Sequence, residues 1–450
     1  MRSSFLVILA LILNFQAYSQ GSFILKNKAA SHKIKFELIN NLIVFPVEIN
    51  GVELSFLLDT GVSKPIIFNS LEGIDTLEVH DTEKIFLRGL GEGKPIEALK
   101  SKRNLFKVGD ALNVNQTLYI IFDTSMDFAP RLGIPVHGII GYDLFKDFVV
   151  EINYTSKFIK LHDPKKYRSK SCRKCESMGL EFYNLKPYLE AVIEVNDENI
   201  PVKLLIDSGG SDALWLFEDE NKKVSGPESY FEDFLGSGLS GSIYGKRSKI
   251  DQLKLGKFTF KDVNVAFPDS VSIRHAKKFV ERNGSIAAEL LKRFNLVFDY
   301  GRKTLLLKRN GYFKEPFHYN KSGISLEYGD VRLVKEEQTR NAGKYATPRT
   351  DVKGSTPIIL VTTFKYSFKP AFTIVQLRKD SPALRAGLQL NDVILSVNNK
   401  PSHEFTLQEM IENFYGRDGT MVKLKIDRDG KEMVFEFRLE PILKKKSPSN

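Results

Sequence analysis

Cysteine is nearly absent from this chain: two residues in 450, Cys172 and Cys175, both in "CRKC". So few thiols exclude a disulfide-stapled scaffold, and a zinc site would need two further ligands that no nearby histidine supplies. The pair reads as a small local disulfide, or as idle thiols in a polar linker. Histidine is also scarce, with seven residues. None pairs with a serine in a Gly-x-Ser-x-Gly elbow and no His-Glu-x-x-His helix exists, which sets aside two large hydrolase classes. "GLGEGKP" lacks the Gly-Lys-Ser/Thr ending of a phosphate loop and lies between strand-like stretches. No metal and no cofactor is expected. Apolar runs long enough to span a membrane are missing beyond the first twenty residues. The leading "MRSSFLVILALILNFQAYSQ" has one early positive charge, an apolar run from Phe5 to Phe15, and small residues Ala17 and Ser19. It reads as a signal peptide over 1–19, too short for an anchor, which needs roughly 20 apolar residues. An exported protein, periplasmic or extracellular, with no stable membrane span is therefore expected. The net charge of +11 is spread along the chain, with local concentrations only at 165–175 and in the basic tail 442–450. A solvated surface, and no nucleic-acid partner, follows.

What the chain does contain is an internal repeat. "PVEINGVELSFLLDTGVSKPIIF" (46–68) reads as a strand, an Asn50-Gly51 hairpin turn, a second strand ending in an acidic turn, and a third strand. "AVIEVNDENIPVKLLIDSGGSDALWLF" (191–217) repeats that order. With Asp59 set on Asp207, Val52, Leu54, Phe56, Leu57 and Leu58 match Ile200, Val202, Leu204, Leu205 and Ile206. Farther along, "LRGLGEGKPIEAL" (87–99) and "LGSGLSGSIYGKR" (235–247) are Gly-rich stretches flanked by strand-like sequence, which predict a mobile hairpin in each half. "HGIIGYDLFKDFVVEINYTSKFIKLH" (137–162) matches "NGSIAAELLKRFNLVFDYGRKTLLLK" (283–308). Two lobes are predicted, 30–163 and 178–310, joined by a polar linker over 164–177.

The duplication points to chemistry. A carboxylate at the end of an apolar strand is costly to bury unless it is hydrogen-bonded or neutralised, and a lone Asp-Thr-Gly turn would ordinarily be a local cap facing solvent. Two such turns in matched halves converge if the lobes pack about a pseudo-twofold axis. Two carboxylates about 3 Å apart share one proton, so that one acts as base and the other as acid. Gly61 and Gly209 offer backbone amides to those carboxylates, and Thr60 and Ser208 offer hydroxyls that can tie the turns together.

These residues resemble the aspartic proteases, specifically the retropepsin-like kind with both lobes in one chain. The resemblance rests on "LLDTG" with "IIG" (139–141), and on "LIDSG" with "SIA" (285–287). It implies a mainly β, two-lobed β-barrel fold and hydrolysis of protein or peptide substrates by water activated on Asp59 and Asp207. Thr60, Gly61, Ser208 and Gly209 support that pair. The implied flaps contain Gly89, Gly91 and Gly93 in one lobe and Gly236, Gly238 and Gly241 in the other. Ala287 departs from the family, which has Gly there; a relative that kept the lobes but lost turnover, binding peptides as a scaffold, is the alternative.

After Asn310 the pattern changes. "DSPALRAGLQLNDVILSVNN" (380–399) resembles the heart of a bacterial PDZ domain, with Asn391 where that family usually has Gly. A small α+β domain is expected over 315–441, with a helix opened by Ser381-Pro382, an amphipathic helix from Leu407 to Phe414, a hairpin at Asp429-Gly430 and a polar insertion at 330–357. The resemblance implies binding of a chain-end peptide through Gly323, Ile324, Ser325 and Leu326, where a backbone nest would take the carboxylate. Such a module would recruit substrates or report on chain ends.

Overall fold

The computed structural model describes residues 21–68, 76–123, 127–169, 172–195, 198–341 and 360–443. The signal peptide expected over 1–19 lies outside them, as does most of the basic tail. Strand dominates both compact units. The first holds residues up to Phe128 and Pro135–Tyr319; the second holds Ala129–Ile134 and Asn320–Pro441.

In the first unit each half builds its own sheet. Strands β1 (Leu42–Ile49) and β2 (Val52–Leu58) form an antiparallel hairpin closed at Asn50 and Gly51, both at positive φ. That is the backbone an Asn-Gly turn favours, because it matches the twist of the paired strands. Strand β3 (Gly138–Ile140) then runs parallel to the end of β2, placing Ile140 opposite Leu58. In the second half β5 (Lys186–Val195) pairs with β6 (Glu198–Asp207), and β7 (Arg282–Ala287) runs parallel to β6 with Ile286 opposite Ile206. The repeat in the sequence is thus a repeat in topology. A third sheet joins the halves: β4 (Val149–Asn153) lies antiparallel to β8 (Phe294–Asp299), Ile152 opposite Leu296. One apolar core runs through both halves, with Phe56, Leu58, Ile140 and Ile152 from the first and Leu204, Ile206, Ile286 and Phe298 from the second.

Several expected boundaries shift. Strand Ile24–Leu25 pairs with Ala111 and Leu112, so the first lobe starts before residue 30. The linker ends in regular structure: Cys175–Gly179 pairs with residues 304–308, and the Cys175 sulfur is bonded to that of Cys172. Residues 315–319 stay with the first unit, because Phe317 joins its core and the Tyr319 hydroxyl donates to the carbonyls of Ser248 and Val265.

The second unit is a five-strand path with β9 (Ile324–Asn341) at one edge, next to β10 (Leu360–Leu377). Its core includes Ile324, Phe372, Ile394, Met410 and Leu424. Helix Pro382–Arg385 is opened by Ser381, whose hydroxyl accepts from Leu384 N, and Gly387 follows it at positive φ. Asn391 sits at φ 70°, a left-handed conformation that asparagine tolerates, so the departure from glycine there leaves the turn intact. Helix α2 (Leu407–Glu412) starts on a Thr406–Glu409 capping box. The expected insertion at 330–357 is in part regular structure: 330–341 continues β9, paired with 360–370 of β10. The charged residues alternate there with Val331 and Leu333, a period of two that suits a strand.

Candidate active site

The two acidic turns lie together. Each begins where a buried strand, β2 or β6, stops beside its parallel neighbour. Asp59 N donates to Ile140 O at 2.9 Å, so β3 holds the first turn from behind. The turns are then cross-linked by a reciprocal set of hydrogen bonds. Thr60 N donates to Ser208 Oγ and Ser208 N donates to Thr60 Oγ1, each at 3.0 Å. The hydroxyls reach past the turns: Thr60 Oγ1 donates to Ile206 O at 2.6 Å and Ser208 Oγ to Leu58 O at 2.8 Å. Both side chains are buried, 0% and 2% exposed. A buried hydroxyl whose partner is deleted leaves donors and acceptors unsatisfied, at about 1–3 kcal/mol. Thr60→Val is therefore expected to lower stability by about that much, read as a drop in the denaturation midpoint, with Thr60→Ser largely restoring it.

This bracing holds the two carboxyl groups close enough to interact. Gly61 N donates to Asp59 Oδ1 at 2.6 Å and Gly209 N to Asp207 Oδ1 at 3.1 Å. A Cβ at Gly61 would lie 3.0 Å from Asp59 Oδ1 and 3.5 Å from Asp207 Oδ1, and one at Gly209 would collide with the Asp59 carboxyl group. Each turn therefore passes close to the other's acid, and at Gly209 only glycine permits that approach. Burial, followed by the Asp207 charge, pushes the Asp59 carboxyl up to about 7.

Sequence reasoning missed the cations around this pair. Lys186, on β5, and Arg282, on β7, both interact electrostatically with the acids, Lys186 with both and Arg282 with Asp207. Arg282 is nearly buried; its Nη2 donates to Ser285 Oγ at 2.7 Å and its Nε to Gly284 O at 3.1 Å. Arg247 was missed too. It bridges Asp212, four residues past the second turn's start, and Asp233 on the strand Phe231–Gly238, at 2.8 Å each. Nothing in the repeat marks these positions, since Arg282 and Arg247 have no counterpart in the first half that plays the same part.

The Gly-rich stretches meet at their tips. Gly93 N donates to Ser240 O at 2.6 Å, Ser240 N to Leu90 O at 2.9 Å, and Gly89 N to Ser240 Oγ at 3.2 Å. Gly91 N reaches Ser272 O at 3.0 Å. The strands of the second hairpin, Phe231–Gly238 and Gly241–Leu255, place Gly238 directly against the Leu90 carbonyl. Gly236 and Gly241 lie in that same hairpin at positive φ. Leu90 packs with Leu235, Ile243, Ala266 and Trp215 in a small apolar cluster of its own.

Ala287 is accommodated. In the first half Gly141 is pressed against the carbonyl oxygens of Asp59 and Val62, leaving no space for a methyl. In the second half Gly210 stands where the first has Val62, and a Cβ on Gly210 would lie 3.4 Å from that of Ala287.

In the second unit Gly323 opens β9 at φ +82° and packs against Ser381. Its amide and that of Ile324 are engaged within the loop: Gly323 N with Asn320 Oδ1 at 3.3 Å, Ile324 N with Ser322 Oγ at 3.0 Å. Ser325 and Leu326 pair with Gln376 and Ile374 of β10. The expected carboxylate nest is therefore filled by side chains two and three residues away.

Among the described residues no group of three or more His, Cys, Asp or Glu is placed to hold a metal ion, and no helix is long and apolar enough to cross a membrane. The aspartyl protease family model matches residues 45–144 and 191–284, which include both acidic turns, and the PDZ domain model matches 347–439. A 140-residue stretch is 26% identical to the probable CtpA-like serine protease of Staphylococcus haemolyticus (strain JCSC1435), covering 31% of this chain and 27% of that protein. The chain thus spans about a quarter of the length of that curated relative. It carries a two-segment aspartyl-protease-like domain followed by a PDZ domain.

Proposed function

We propose that this chain is an aspartic endopeptidase in which Asp59 and Asp207 share one proton, with the PDZ domain binding peptides. The observation that carries the reading is the reciprocal Thr60–Ser208 hydrogen bonding, which ties the acidic turns of the two halves directly to each other. In the reaction, the ionised carboxylate takes a proton from water as the oxygen bonds to the scissile carbonyl carbon. The protonated carboxyl gives its proton to the carbonyl oxygen. Breakdown of the resulting gem-diol returns a proton to the carboxylates and delivers one to the departing amine, which breaks the C–N bond without a covalent enzyme intermediate. The Ser208 hydroxyl beside the acids donates to Leu58 O and accepts from Thr60 N, which supports a bracing role for it and not that of a nucleophile. Inhibition of cleavage by a statine-type transition-state mimic tests the proposal. Cleavage that such a compound leaves untouched, or an absence of any peptide cleavage, would sink it in favour of a peptide-binding scaffold.

The proton on the pair sets the pH dependence. Burial and the Asp207 charge hold the Asp59 carboxyl up to about 7, so the single-proton form disappears as pH rises through that value. The rate kcat/KM is expected to fall on that side. Lys186 works in the opposite direction, favouring the ionised form of Asp59. Lys186→Gln should therefore carry the alkaline limb to higher pH; a limb that stays put or moves down removes Lys186 from the account. The same proton bears on stability. A carboxyl raised by folding stabilises the fold fully below its unfolded value and loses that contribution as pH rises to the folded one, so the melting temperature should decline as pH rises from 3.8 to about 7 in the parent, and less in Asp59→Asn.

A further inference from the structure

Ala129–Ile134 lies in sequence between strand Ala111–Ile121 and β3, inside the segments that build the first lobe, yet it packs as part of the second unit. Its one helical turn, α1 (Ala129–Leu132), lies along β9. Arg131 Nε donates to Glu327 Oε1 of β9 at 2.7 Å. Gly133 closes the turn, its N–H donating to Ala129 O at 2.8 Å, and its left-handed backbone at φ +74° brings it against Leu407, the first residue of α2. A Cβ on Gly133 would lie 3.1 Å from the Leu407 Cβ.

The position of that segment matters because of what lies under it. β9 is an edge strand, and α2 packs beside it. An open strand edge next to a helix is where a PDZ domain takes an extended peptide, with the strand supplying backbone partners and the helix one wall. Ala129–Ile134 touches the strand through Arg131 and the helix through Gly133, so it rests on both walls. Charge is matched as well: Glu327 is partly buried, 24% exposed at its side chain, and Arg131 is the cation paired with it. The segment ends three residues before His137, whose N–H donates to Ser55 O, and β3 follows at once with Ile140 behind Asp59. The stretch that covers the groove is thus joined directly to the strand that supports the first acidic turn.

We infer that Ala129–Ile134 is a built-in ligand of the PDZ groove, and that outside ligands of the groove are extended peptides with a basic side chain that replaces Arg131 on Glu327. A tethered segment competes at an effective concentration in the millimolar range, so it masks the groove from any ligand that does not outbid it. Releasing the segment should therefore unmask binding without altering the groove itself.

The experiment uses the full chain carrying Asp59→Asn, so that the probe is not consumed and the result is independent of whether the first unit cleaves peptides. The probe is a labelled synthetic peptide with the sequence of residues 127–136, DFAPRLGIPV, followed by fluorescence anisotropy. Arg131→Glu sets like charges together at an exposed position, where folding is not at stake, and thermal melting checks that it is not. Its Kd for the peptide is expected to be at least about fivefold lower than that of the parent, from loss of the pair and of the tethered competitor. Arg131→Glu with Glu327→Arg rebuilds the pair in reverse and should return binding to the parent level or below. Equal Kd values for the parent and Arg131→Glu, no binding to Arg131→Glu, or undiminished binding to the double variant would each overturn the proposal.

Discussion

Replacing either Asp59 or Asp207 by Asn is expected to abolish peptide cleavage, with a loss of at least about a thousandfold in kcat/KM, the scale of losing a positioned acid or base. Asn has nearly the same shape and can still accept the Gly61 or Gly209 amide, so the turns and their hydroxyl cross-links remain. It cannot exchange a proton, so the pair would no longer hold one shared proton on two ionisable groups. The two variants should be equally inactive, and the double variant no worse than either, because the acids work as one unit and such effects are far from additive. Folding should be unharmed; removal of the burial and charge strain on Asp59 should, if anything, raise stability above pH 7, since that carboxyl is held up to about 7. Cleavage of an unstructured peptide followed by mass spectrometry, alongside thermal melting, separates loss of chemistry from loss of fold. Retained cleavage in both variants would remove the mechanism.

The parts of this molecule that were legible in its sequence are those governed by short-range rules acting twice. Asp59 and Asp207 each follow an apolar strand, and a two-residue turn at Asn50-Gly51 fixes how that strand returns; both are local statements, and repetition made them persuasive. Thr60 and Ser208 could be nominated because a hydroxyl beside each acid has few other tasks. What could not be read is whatever depends on two distant segments meeting. Lys186 and Arg282 look like ordinary surface cations until β5 and β7 bring them beside the acids. Arg247 gains its role only because Asp212 and Asp233, 21 residues apart in sequence, both face it. The alternation of Val331 and Leu333 was present in the sequence, but the surrounding charge hid it and the stretch read as a polar insertion. Ala129–Ile134 carries no signal at all: its partners Glu327 and Leu407 lie about 200 and 275 residues onward.

Gly141→Ala is expected to have the second largest effect, and Ala287→Gly almost none, although the two positions are counterparts in the repeat. At Gly141 a methyl would fall inside the carbonyl oxygen of Asp59, and close to that of Val62. Those atoms are backbone, held by Asp59 N donating to Ile140 O and by Tyr142 N donating to Val62 O at 3.0 Å, so no side-chain rotation relieves the clash. Overpacking a rigid interior costs about 1–3 kcal/mol and more where the backbone itself must shift; Gly141→Ala should lie at or above the top of that range. The displaced group would be Asp59, so the remaining folded protein should also be inactive. At position 287 the methyl is already present, facing Gly210, and its removal leaves a small gap worth about 1 kcal/mol or less. The informative third variant is Gly210→Val, which restores the side chain of the first half while keeping Ala287. A Cβ there would already touch the Ala287 methyl at 3.4 Å, so the two further carbons of valine should crowd it and lower stability; Gly210→Val combined with Ala287→Gly should recover most of the loss. If the double variant is no more stable than Gly210→Val alone, the two halves do not compensate in this way and the tolerance of Ala287 has another origin.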